Sequence, residues 1–393
     1  MSICDKKIVV VGAGIGGLAA ALALRQRGAD VTVLEQAAAI SEVGAGLQIS
    51  PNGVAVLNAL GLADALSAAA VRAHAVSLRD YRRPGEVLRL DLGTYAPDLN
   101  YCFLHRADLV SLLADAVRAS GVPIRLLQQV DSADLNRPAT LHMSNGSRVR
   151  ADLVVGADGL HSRLRSQLNR SDQPFFTGQV AWRATVPNSI DLPPEAQLYM
   201  GPGRHLVCYP LRDGCLVNIV AVQERKNWTA EGWHHQDRPE NLRRAFADFR
   251  GIPSALLDQV SEVNLWGLFR HKVAQHWHGP NAALLGDAAH PTLPFLAQGA
   301  NMALEDAWVL GAELARADSI ESGLARYQAR RHARATRVIA AASGNAWKYH
   351  LRFPPLRGAA HLALRLSGRV APARMVGQFD WLYRHDVTQE PAA

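Results

Sequence analysis

The sequence predicts an α/β fold in which a doubly wound, Rossmann-like domain is interleaved with a β-rich domain and followed by a C-terminal helical region. Near the N-terminus, a short apolar strand runs into a glycine-rich turn and a helix. Buried strands of the same kind recur at 153–155 and 282–285, and a β-rich stretch at 179–222 separates them. With 393 residues, the chain exceeds one simple core, so two domains are expected.

The first elements form one βαβ unit. Residues 8–11 are four consecutive apolar side chains, as in a buried parallel strand. The glycine-rich turn at 12–17 follows, and residues 18–27, rich in alanine and leucine, predict a helix that ends near Gly28. Residues 31–34 predict the second strand, which ends at Glu35.

The remaining elements follow from their periodicity and from turn residues. Helices are predicted at 51–66, 107–120, 302–316 and 324–342, and alternation with turn signals predicts several strands within 179–222. We therefore expect a discontinuous doubly wound domain and an inserted β-rich domain. The expected limits are 1–72, 101–177 and 267–345 for the first, 73–100 and 178–266 for the second, and 346–393 for the C-terminal helical segment.

Composition excludes several classes of protein. With 48% hydrophobic and 20% charged residues, the chain is not disordered as a whole, and no apolar run approaches the length of a membrane-spanning helix. The N-terminal apolar run resembles a strand rather than a signal peptide. The four cysteines have neither disulfide nor metal-ligand spacing, so a reducing cytoplasm is expected and a metal site is not.

The net charge of +7 is concentrated near the C-terminus. No carboxylate lies between Glu321 and Asp380, whereas that stretch contains ten arginines and one lysine. The cationic side chains Arg326, Arg330, Arg334 and Arg337 recur at helical spacing. Two interpretations remain open: a solvated or internally paired face, or contact of this basic C-terminal helix with a membrane surface or acidic partner. A nucleic-acid partner is not expected, because no binding motif accompanies the charge.

The glycine-rich turn has the spacing of a dinucleotide-binding motif. Gly12 permits the tight turn, Gly14 allows a pyrophosphate to approach the backbone, and Gly17 allows the helix and strand to pack closely. The free amides at the helix N-terminus favour phosphate. Glu35 stands where an acid would accept hydrogen bonds from an adenosine ribose. This motif alone does not distinguish NAD from FAD.

Two further motifs extend the pattern, at 152–165 around Asp158 and at 284–291 around Asp287. With them, the sequence resembles the class A flavoprotein aromatic monooxygenases of the hydroxybenzoate-hydroxylase fold. It is most similar to the branch of salicylate, 3-hydroxybenzoate and 6-hydroxynicotinate hydroxylases. The resemblance runs from about Lys7 to Tyr383, and three motifs occur in the family's order.

The resemblance implies that the doubly wound domain binds FAD. It assigns Glu35 to the adenosine ribose, Arg106 to the ribityl-pyrophosphate part, Asp287 to the ribityl hydroxyls and Asp158 to both FAD and NAD(P)H. An ion pair with Asp108 or another carboxylate is the alternative for Arg106, and a structural turn or cap is the alternative for both Asp158 and Asp287. The cofactor-binding residues so implied are Gly12, Gly14, Ile15, Gly16, Gly17, Glu35, Gln36, Arg106, Val130, Asp158, Asp287, Pro291, Gly299 and Ala300.

The implied activity is hydroxylation of a small phenolic, hydroxybenzoate-like ring. NADH or NADPH reduces FAD, O2 forms a flavin C4a-hydroperoxide, and one oxygen atom enters the ring. A quinone-precursor or other secondary-metabolite hydroxylase at the membrane surface is the alternative, and a non-catalytic FAD redox sensor is a third hypothesis. The halogenase motif and the paired cysteines of disulfide reductases are missing. The sequence leaves monomer and homodimer open.

Three residues are candidates for catalysis. The resemblance implies that His205 is the base for a phenol, and a structural histidine of the sheet is the alternative. Tyr209, four residues along the same strand, is expected on the same face, either as a hydrogen-bond partner of the substrate or as a core residue. Gln48 is an expected substrate- or ribityl-orienting residue; because glutamine is no base, it departs from the histidine of the hydroxynicotinate enzyme. Ala196 and Pro294 are further departures, from the hydroxynicotinate and 3-hydroxybenzoate enzymes respectively.

Two other segments bear on the substrate pocket. The run 292–296 predicts an apolar pocket wall. Trp182-Arg183 is interpreted either as a substrate-carboxylate site or, preferentially, as part of a structural ion pair. His290 is expected to position backbone near the flavin rather than to transfer protons.

Overall fold

The structure is a computed structural model that describes residues 3–40, 45–136, 138–170, 173–226 and 236–389. Gly44, in the glycine-rich loop before Gln48, lies outside the described residues. The helices are α1 (Ile15–Arg25), α2 (Pro51–Ala59), α3 (Ala63–Ala69), α4 (Leu92–Tyr95), α5 (Arg106–Ala119), α6 (Arg163–Leu168), α7 (Pro239–Ala245), α8 (Ile252–Asp258), α9 (Gly299–Arg316), α10 (Ile320–Tyr349), α11 (Pro354–Val370), α12 (Pro372–Gly377) and α13 (Asp380–Tyr383).

The strands are β1 (Lys7–Val11), β2 (Asp30–Leu34), β3 (Gly46–Ile49), β4 (Val71–Arg72), β5 (Ala75–Asp80), β6 (Glu86–Asp91), β7 (Cys102–His105), β8 (Ile124–Arg125), β9 (Val130–Asp134), β10 (Ala139–Met143), β11 (Arg148–Ala151), β12 (Leu153–Gly156), β13 (Phe175–Pro187), β14 (Glu195–Gly201), β15 (Arg204–Leu211), β16 (Leu216–Glu224), β17 (Gln236–Asp237), β18 (Val263–Arg270), β19 (His278–Gly279) and β20 (Ala282–Leu284).

The first large sheet contains the predicted βαβ unit. Its six strands have the order β19-β20-β12-β1-β2-β8, and all neighbours are parallel except β19 and β20. The central strand β1 places Val10 opposite Val155 on one side and Val33 on the other. All three valines are buried, as the continuous apolar runs predict for a parallel sheet. The doubly wound part of the predicted fold is confirmed.

The second large sheet is the predicted β-rich region. Its eight strands have the order β17-β18-β13-β16-β15-β14-β5-β6, and only the β14–β5 pair is parallel. A core that includes Trp182 and Phe246 packs against it, and Tyr209 and Val222 face the cavity described below. The domain limits stay a prediction; strand β18 crosses one of them, at residue 267.

The expected single helix at 51–66 is wrong. The structure has two helices, α2 and α3, separated at Gly61, whose φ of +82° lies in the left-handed region. Glycine adopts this conformation without the steric cost of a Cβ, so the residue ends the helix where the periodic pattern continues. The helix expected at 324–342 is longer, and α10 extends from Ile320 to Tyr349.

The cationic face of α10 is paired within the fold. Glu313, which is buried on α9, accepts a hydrogen bond from Arg330 at 2.5 Å and has Arg326 at 3.8 Å. Both carboxylate oxygens of Glu305 accept from Arg334, at 2.7 Å each. These contacts confirm the internally paired interpretation for the three arginines, because α9 supplies the counter-charge.

A buried charge cluster connects α9 and α10 beside the first sheet. Arg331 is 1% exposed and donates to Glu305 and, at 2.7 Å, to Asp306, both of which are fully buried. Burial works to raise the pKa of both carboxyls, but the attraction of the surrounding cations, Arg331 among them, outweighs it and lowers each pKa to about 2. The guanidinium and the two carboxylates of the cluster are therefore all charged at neutral pH.

The cluster also holds the loops near the first sheet. Asn52 of α2 donates to Glu305 at 2.6 Å, and the Gly286 amide donates to Asp306 at 3.0 Å. His290 lies 2.5 Å from the same Asp306 oxygen and is fully buried. This contact fits the expectation that His290 positions backbone.

The outward face of α11 is apolar. Leu356, Leu362, Leu366 and Val370 are 53%, 56%, 52% and 83% exposed, while the inward His361 is buried. This outward face of α11 follows the spacing of one helical stripe. No helix among the described residues is long and apolar enough to cross a membrane.

We expect Arg331→Met to destabilise the protein by about 3–5 kcal/mol, because it removes the arginine that pairs with buried Asp306 and leaves buried Glu305 with Arg334 as its one arginine partner. The measurement is urea unfolding followed by circular dichroism at neutral pH. Arg326→Met is the matched control, since Arg326 is 37% exposed and 3.8 Å from Glu313; it should cost less than about 1 kcal/mol. Equal losses for the two variants would contradict the role given to the cluster.

Candidate active site

A cavity of about 530 Å³ lies between the two large sheets. The glycine-rich turn contributes Gly14 and Gly16 to its wall, and the second sheet contributes His205 and Tyr209. Asp287, in the short turn after β20, lies at the same cavity. Residues that are far apart in the sequence therefore meet at one site.

The three motif glycines differ in what surrounds them. At Gly12, with φ of +104°, a Cβ would lie 2.4 Å from the Ala157 carbonyl oxygen, and at Gly17 it would lie 2.0 Å from the Gly12 oxygen. These two positions are glycine because of internal packing. At Gly14 a Cβ would meet nothing within 4 Å. The space above Gly14 is open to the cavity, as a bound pyrophosphate requires.

Glu35 ends β2 beside this turn. Its two carboxylate oxygens accept hydrogen bonds from the amides of Ala13 and Ala37, each at 2.8 Å. Glu35 therefore lies against the turn, where the ribose role was expected. Gln36 is exposed and Val130 is buried at the start of β9; the described cavity wall includes neither.

Asp158 organises the turn before α6. It accepts hydrogen bonds from the Ser162 hydroxyl at 2.6 Å and from the Arg163 amide at 2.8 Å. Burial raises its pKa, against the effect of these hydrogen bonds. These contacts match the alternative in which Asp158 holds a structural turn. A role of Asp158 in binding FAD or NAD(P)H stays a prediction.

The other expected cofactor residues line the cavity: Ile15, Arg106, Pro291, Gly299 and Ala300. Gly299 and Ala300 begin α9, so the free amides of this helix lie beside the cavity. Asp108, one suggested ion-pair partner of Arg106, binds Arg212 at 2.8 and 3.0 Å.

His205 and Tyr209 project from β15 into the cavity, as the four-residue spacing predicts. The Nδ1 atom of His205 lies 2.7 Å from Nε2 of His350. Burial and the neighbouring His350 lower the pKa of His205 well below its usual value. His205 is therefore neutral at physiological pH.

His350 and Glu224 belong to the site but were not predicted from the sequence. Nδ1 of His350 lies 3.0 Å from a Glu224 carboxylate oxygen, and burial lowers the pKa of His350. His350 is 145 residues from His205 and directly follows α10. No local motif marks it; only the packing of α10 against the second sheet brings these residues together.

Gln48 lines the cavity together with Tyr101 and Tyr209. The Tyr101 hydroxyl donates to the Gln48 side-chain oxygen at 2.8 Å. Burial raises the pKa of both tyrosines, so both phenols stay protonated at neutral pH. Because the Tyr101 proton is taken by Gln48, Tyr209 is the phenol whose hydroxyl can donate to a ligand in the cavity.

Arg183 is enclosed by protein but has surface open to the cavity. Its guanidinium lies 5.0 Å from the Trp266 ring, and its Nε atom is buried without a hydrogen-bond partner. Trp182 points elsewhere and donates to Asp237 at 2.7 Å. Among the described residues no carboxylate pairs with Arg183. Within that part of the chain, the preferred interpretation of Trp182-Arg183 as part of a structural ion pair is therefore not supported.

Apolar side chains close the rest of the cavity near His205. Leu293, Pro294 and Phe295 lie in its wall, as the run at 292–296 predicts, and Ala196 lies on the sheet side. The His205 and Phe295 rings are 6.0 Å apart between centroids. A ring-shaped ligand would be held between apolar surfaces with few competing waters.

Residues 5–342 match the family model described as FAD binding domain. The chain belongs to this family. It is 38% identical over 359 residues to 3-amino-4-hydroxybenzoate 2-monooxygenase of Streptomyces cremeus, covering 88% of each chain. It is 31% identical to 3-hydroxybenzoate 6-hydroxylase 1 of Aquipseudomonas alcaligenes, covering 98% of each. The structure of Klebsiella pneumoniae HpxO with FAD and uric acid matches with a TM-score of 0.84 at 26% identity, covering 95% and 96% of the two chains.

The family identifies the protein as an FAD-dependent aromatic monooxygenase, with NAD(P)H as the reductant typical of such enzymes. The residues present fit FAD: the space at Gly14 and the amides at the starts of α1 and α9 suit its phosphates and flavin edge. Within the described part of the chain, no group of three or more His, Cys, Asp or Glu side chains is arranged to hold a metal ion.

Gly14→Val should leave the fold intact but weaken FAD binding by at least about tenfold, because the new side chain enters open space that the pyrophosphate needs. The measurements are thermal unfolding of the FAD-free protein and fluorescence titration with FAD. Gly17→Ala is the comparison: its Cβ meets backbone at 2.0 Å and should lower the unfolding temperature itself. Undiminished FAD affinity in Gly14→Val would refute the assignment.

Proposed function

We propose that this monooxygenase hydroxylates a small aromatic carboxylate that carries a ring hydroxyl. The observation that carries the proposal is Arg183, a cavity-lining cation that no described carboxylate neutralises. Burial lowers its pKa, yet a guanidinium stays charged at neutral pH. An anionic substrate supplies the missing partner through charge-assisted hydrogen bonds.

The other side chains are then given roles by their chemistry. Tyr209 and Gln48 orient the ring through neutral hydrogen bonds. His205, neutral and facing the cavity, accepts the proton of the ring hydroxyl through Nε2, the nitrogen that His350 does not occupy. Leu293 and Phe295 exclude water from the ring.

FAD, when bound and reduced by NADH or NADPH, would activate O2, one atom of which would enter the ring. The chain's part is to bind FAD through the turn at Gly14, through Glu35 and Asp287, and at the start of α9. The remaining cofactor assignments, including Gln36, Val130 and Asp158, stay proposals. So do a cytoplasmic location and the choice between monomer and homodimer.

The relatives support an aromatic carboxylate, because their names describe hydroxylation of aminohydroxybenzoate and hydroxybenzoate. The resemblance implies that Ala196 and Gln48 depart from the hydroxynicotinate enzymes and that Pro294 departs from the 3-hydroxybenzoate enzymes. A panel of hydroxy- and aminohydroxybenzoates, scored for NAD(P)H oxidation and hydroxylated product together, selects among them. Substrate-stimulated NAD(P)H oxidation also separates an enzyme from a redox sensor.

Arg183→Met should raise KM for the best carboxylate in this panel by about 10- to 100-fold, since a charge-assisted hydrogen bond contributes about 1.5–3 kcal/mol. Steady-state kinetics measure the effect, and the same phenol without its carboxylate should lose far less. Arg225→Met is the control, because Arg225 lies over Trp182 and outside the cavity wall. If KM for the carboxylate is unchanged, Arg183 does not bind it.

A second candidate is hydroxylation of a quinone precursor at a membrane surface, and the outward face of α11 favours it. Four large apolar side chains are exposed there, and the inward Leu364 of the same helix lines the cavity. The exposed Arg369 and Arg374 lie nearby, and no acid occurs from 322 to 379. An apolar stripe beside cations fits an anionic lipid surface.

If the protein acts at a membrane surface, it should co-sediment with vesicles that contain anionic phosphatidylserine and not with vesicles of neutral phosphatidylcholine. Leu362→Glu with Leu366→Glu should abolish that binding, because charged side chains replace the apolar contact. Leu127→Glu is the control, an equally exposed leucine outside this helix. Absence of binding by the wild-type protein at low salt would remove this candidate and leave the first unaffected.

A further inference from the structure

A chain of three side chains leads from the cavity to the protein surface. His205 contacts His350 at 2.7 Å, and His350 contacts Glu224 at 3.0 Å. Glu224 is partly exposed, with 32% of its side chain accessible, and also accepts from Arg352 at 2.6 Å. We propose that His350 and Glu224 are positioning residues that make His205 the base and carry the substrate proton to solvent. This inference rests on the role of His205 proposed above.

The carboxylate fixes the proton positions on both rings. Partial burial works to raise the pKa of Glu224, but hydrogen bonds from Arg352 and His350 outweigh it and lower the pKa, so Glu224 only accepts. His350 must therefore carry its proton on Nδ1, which leaves Nε2 as an acceptor. Consequently His205 carries its proton on Nδ1, and its Nε2 presents a lone pair to the cavity.

The same contacts define a balanced proton path. The ring hydroxyl of the substrate releases its proton to Nε2 of His205, and the Nδ1 proton of His205 passes to Nε2 of His350. The Nδ1 proton of His350 then passes to the Glu224 carboxylate, which exchanges it with water. No ring holds a positive charge at the end, which matters because burial lowers the pKa of both histidines. The reverse path returns a proton to the product and restores both rings.

The surroundings leave the two histidines no competing partner among the described residues. Tyr349 and Phe295 pack around the His205 ring at centroid distances of 5.5 and 6.0 Å. Burial raises the pKa of Tyr349 to about 12, so it stays neutral. The backbone of His350 is fixed as well, because its carbonyl accepts from the Gly203 amide at 3.1 Å. The geometry therefore favours one arrangement of protons.

The first test is Glu224→Gln in the FAD-loaded enzyme with the best phenolic substrate. The amide has nearly the same shape but donates as well as accepts, so the tautomer of His350 is no longer fixed. Hydroxylation at neutral pH should fall by about 10- to 100-fold, part of what a positioned base contributes. It should recover as the pH approaches the substrate phenol pKa of about 10, because water then ionises the substrate. Glu240→Gln, the same change at a distant exposed site, is the control.

A second substrate distinguishes proton transfer from a merely structural role. A fluorinated phenol that is already ionised at neutral pH should be hydroxylated by Glu224→Gln at nearly the wild-type rate. His350→Gln, which also breaks the chain, should behave in the same way and provides a second variant if Glu224→Gln fails to fold. A loss that is equal for both substrates and at every pH would overturn the inference.

His205→Ala separates this inference from the proposed function. If it abolishes hydroxylation of the phenol while both Glu224→Gln and His350→Gln retain the wild-type rate and pH profile, His205 is the base and the relay is wrong. If His205→Ala itself retains coupled hydroxylation, the proposed function of His205 fails together with the relay. Peroxide release must be measured with product, because an uncoupled enzyme continues to consume NAD(P)H.

Discussion

The buried ion cluster of Arg331, Glu305 and Asp306 is the constraint on which the cofactor side of the molecule depends. Two carboxylates and a guanidinium removed from water are tolerable only when every charge has its partner. The two carboxylates lie on α9 and the guanidinium on α10, while Asn52 at the start of α2 and the Gly286 amide after β20 donate to the same carboxylates. These four parts of the chain therefore have one mutual arrangement. The open space at Gly14 and the start of α9 face the same cavity as a result.

The substrate side of the cavity relies mainly on neutral polar groups, whereas the cofactor side relies on paired charges. Tyr101 and Gln48 form a neutral hydrogen-bonded pair, Tyr209 is a neutral phenol in the same cavity wall, and the two histidines are held neutral by burial. Arg183 is the exception, a cation that no carboxylate of the described residues neutralises. In the proposed function an anionic substrate supplies this partner, which would favour charged aromatic ligands over neutral ones of the same shape.

Local patterns predicted much of this structure. The buried strands, the glycine turn and Glu35 were found because strand periodicity and motif spacing operate over a few residues. The break at Gly61 was missed, since the apolar pattern continues through it. The absence of a described ion-pair partner for Arg183, and the contact of His205 with His350, depend on how α10 and the second sheet pack, over separations that no local pattern records.

Helix α10 also fixes the distance between the ion cluster on the cofactor side and the histidine pair on the substrate side. Arg331 and His350 are nineteen residues apart, or about 29 Å at the rise of an α-helix. A single inserted residue between them would turn His350 by about 100° relative to Arg331 and move it off its neighbours. A chain that keeps both the ion cluster and the histidine pair must therefore also keep this spacing, whatever side chains the solvent-facing positions between them carry.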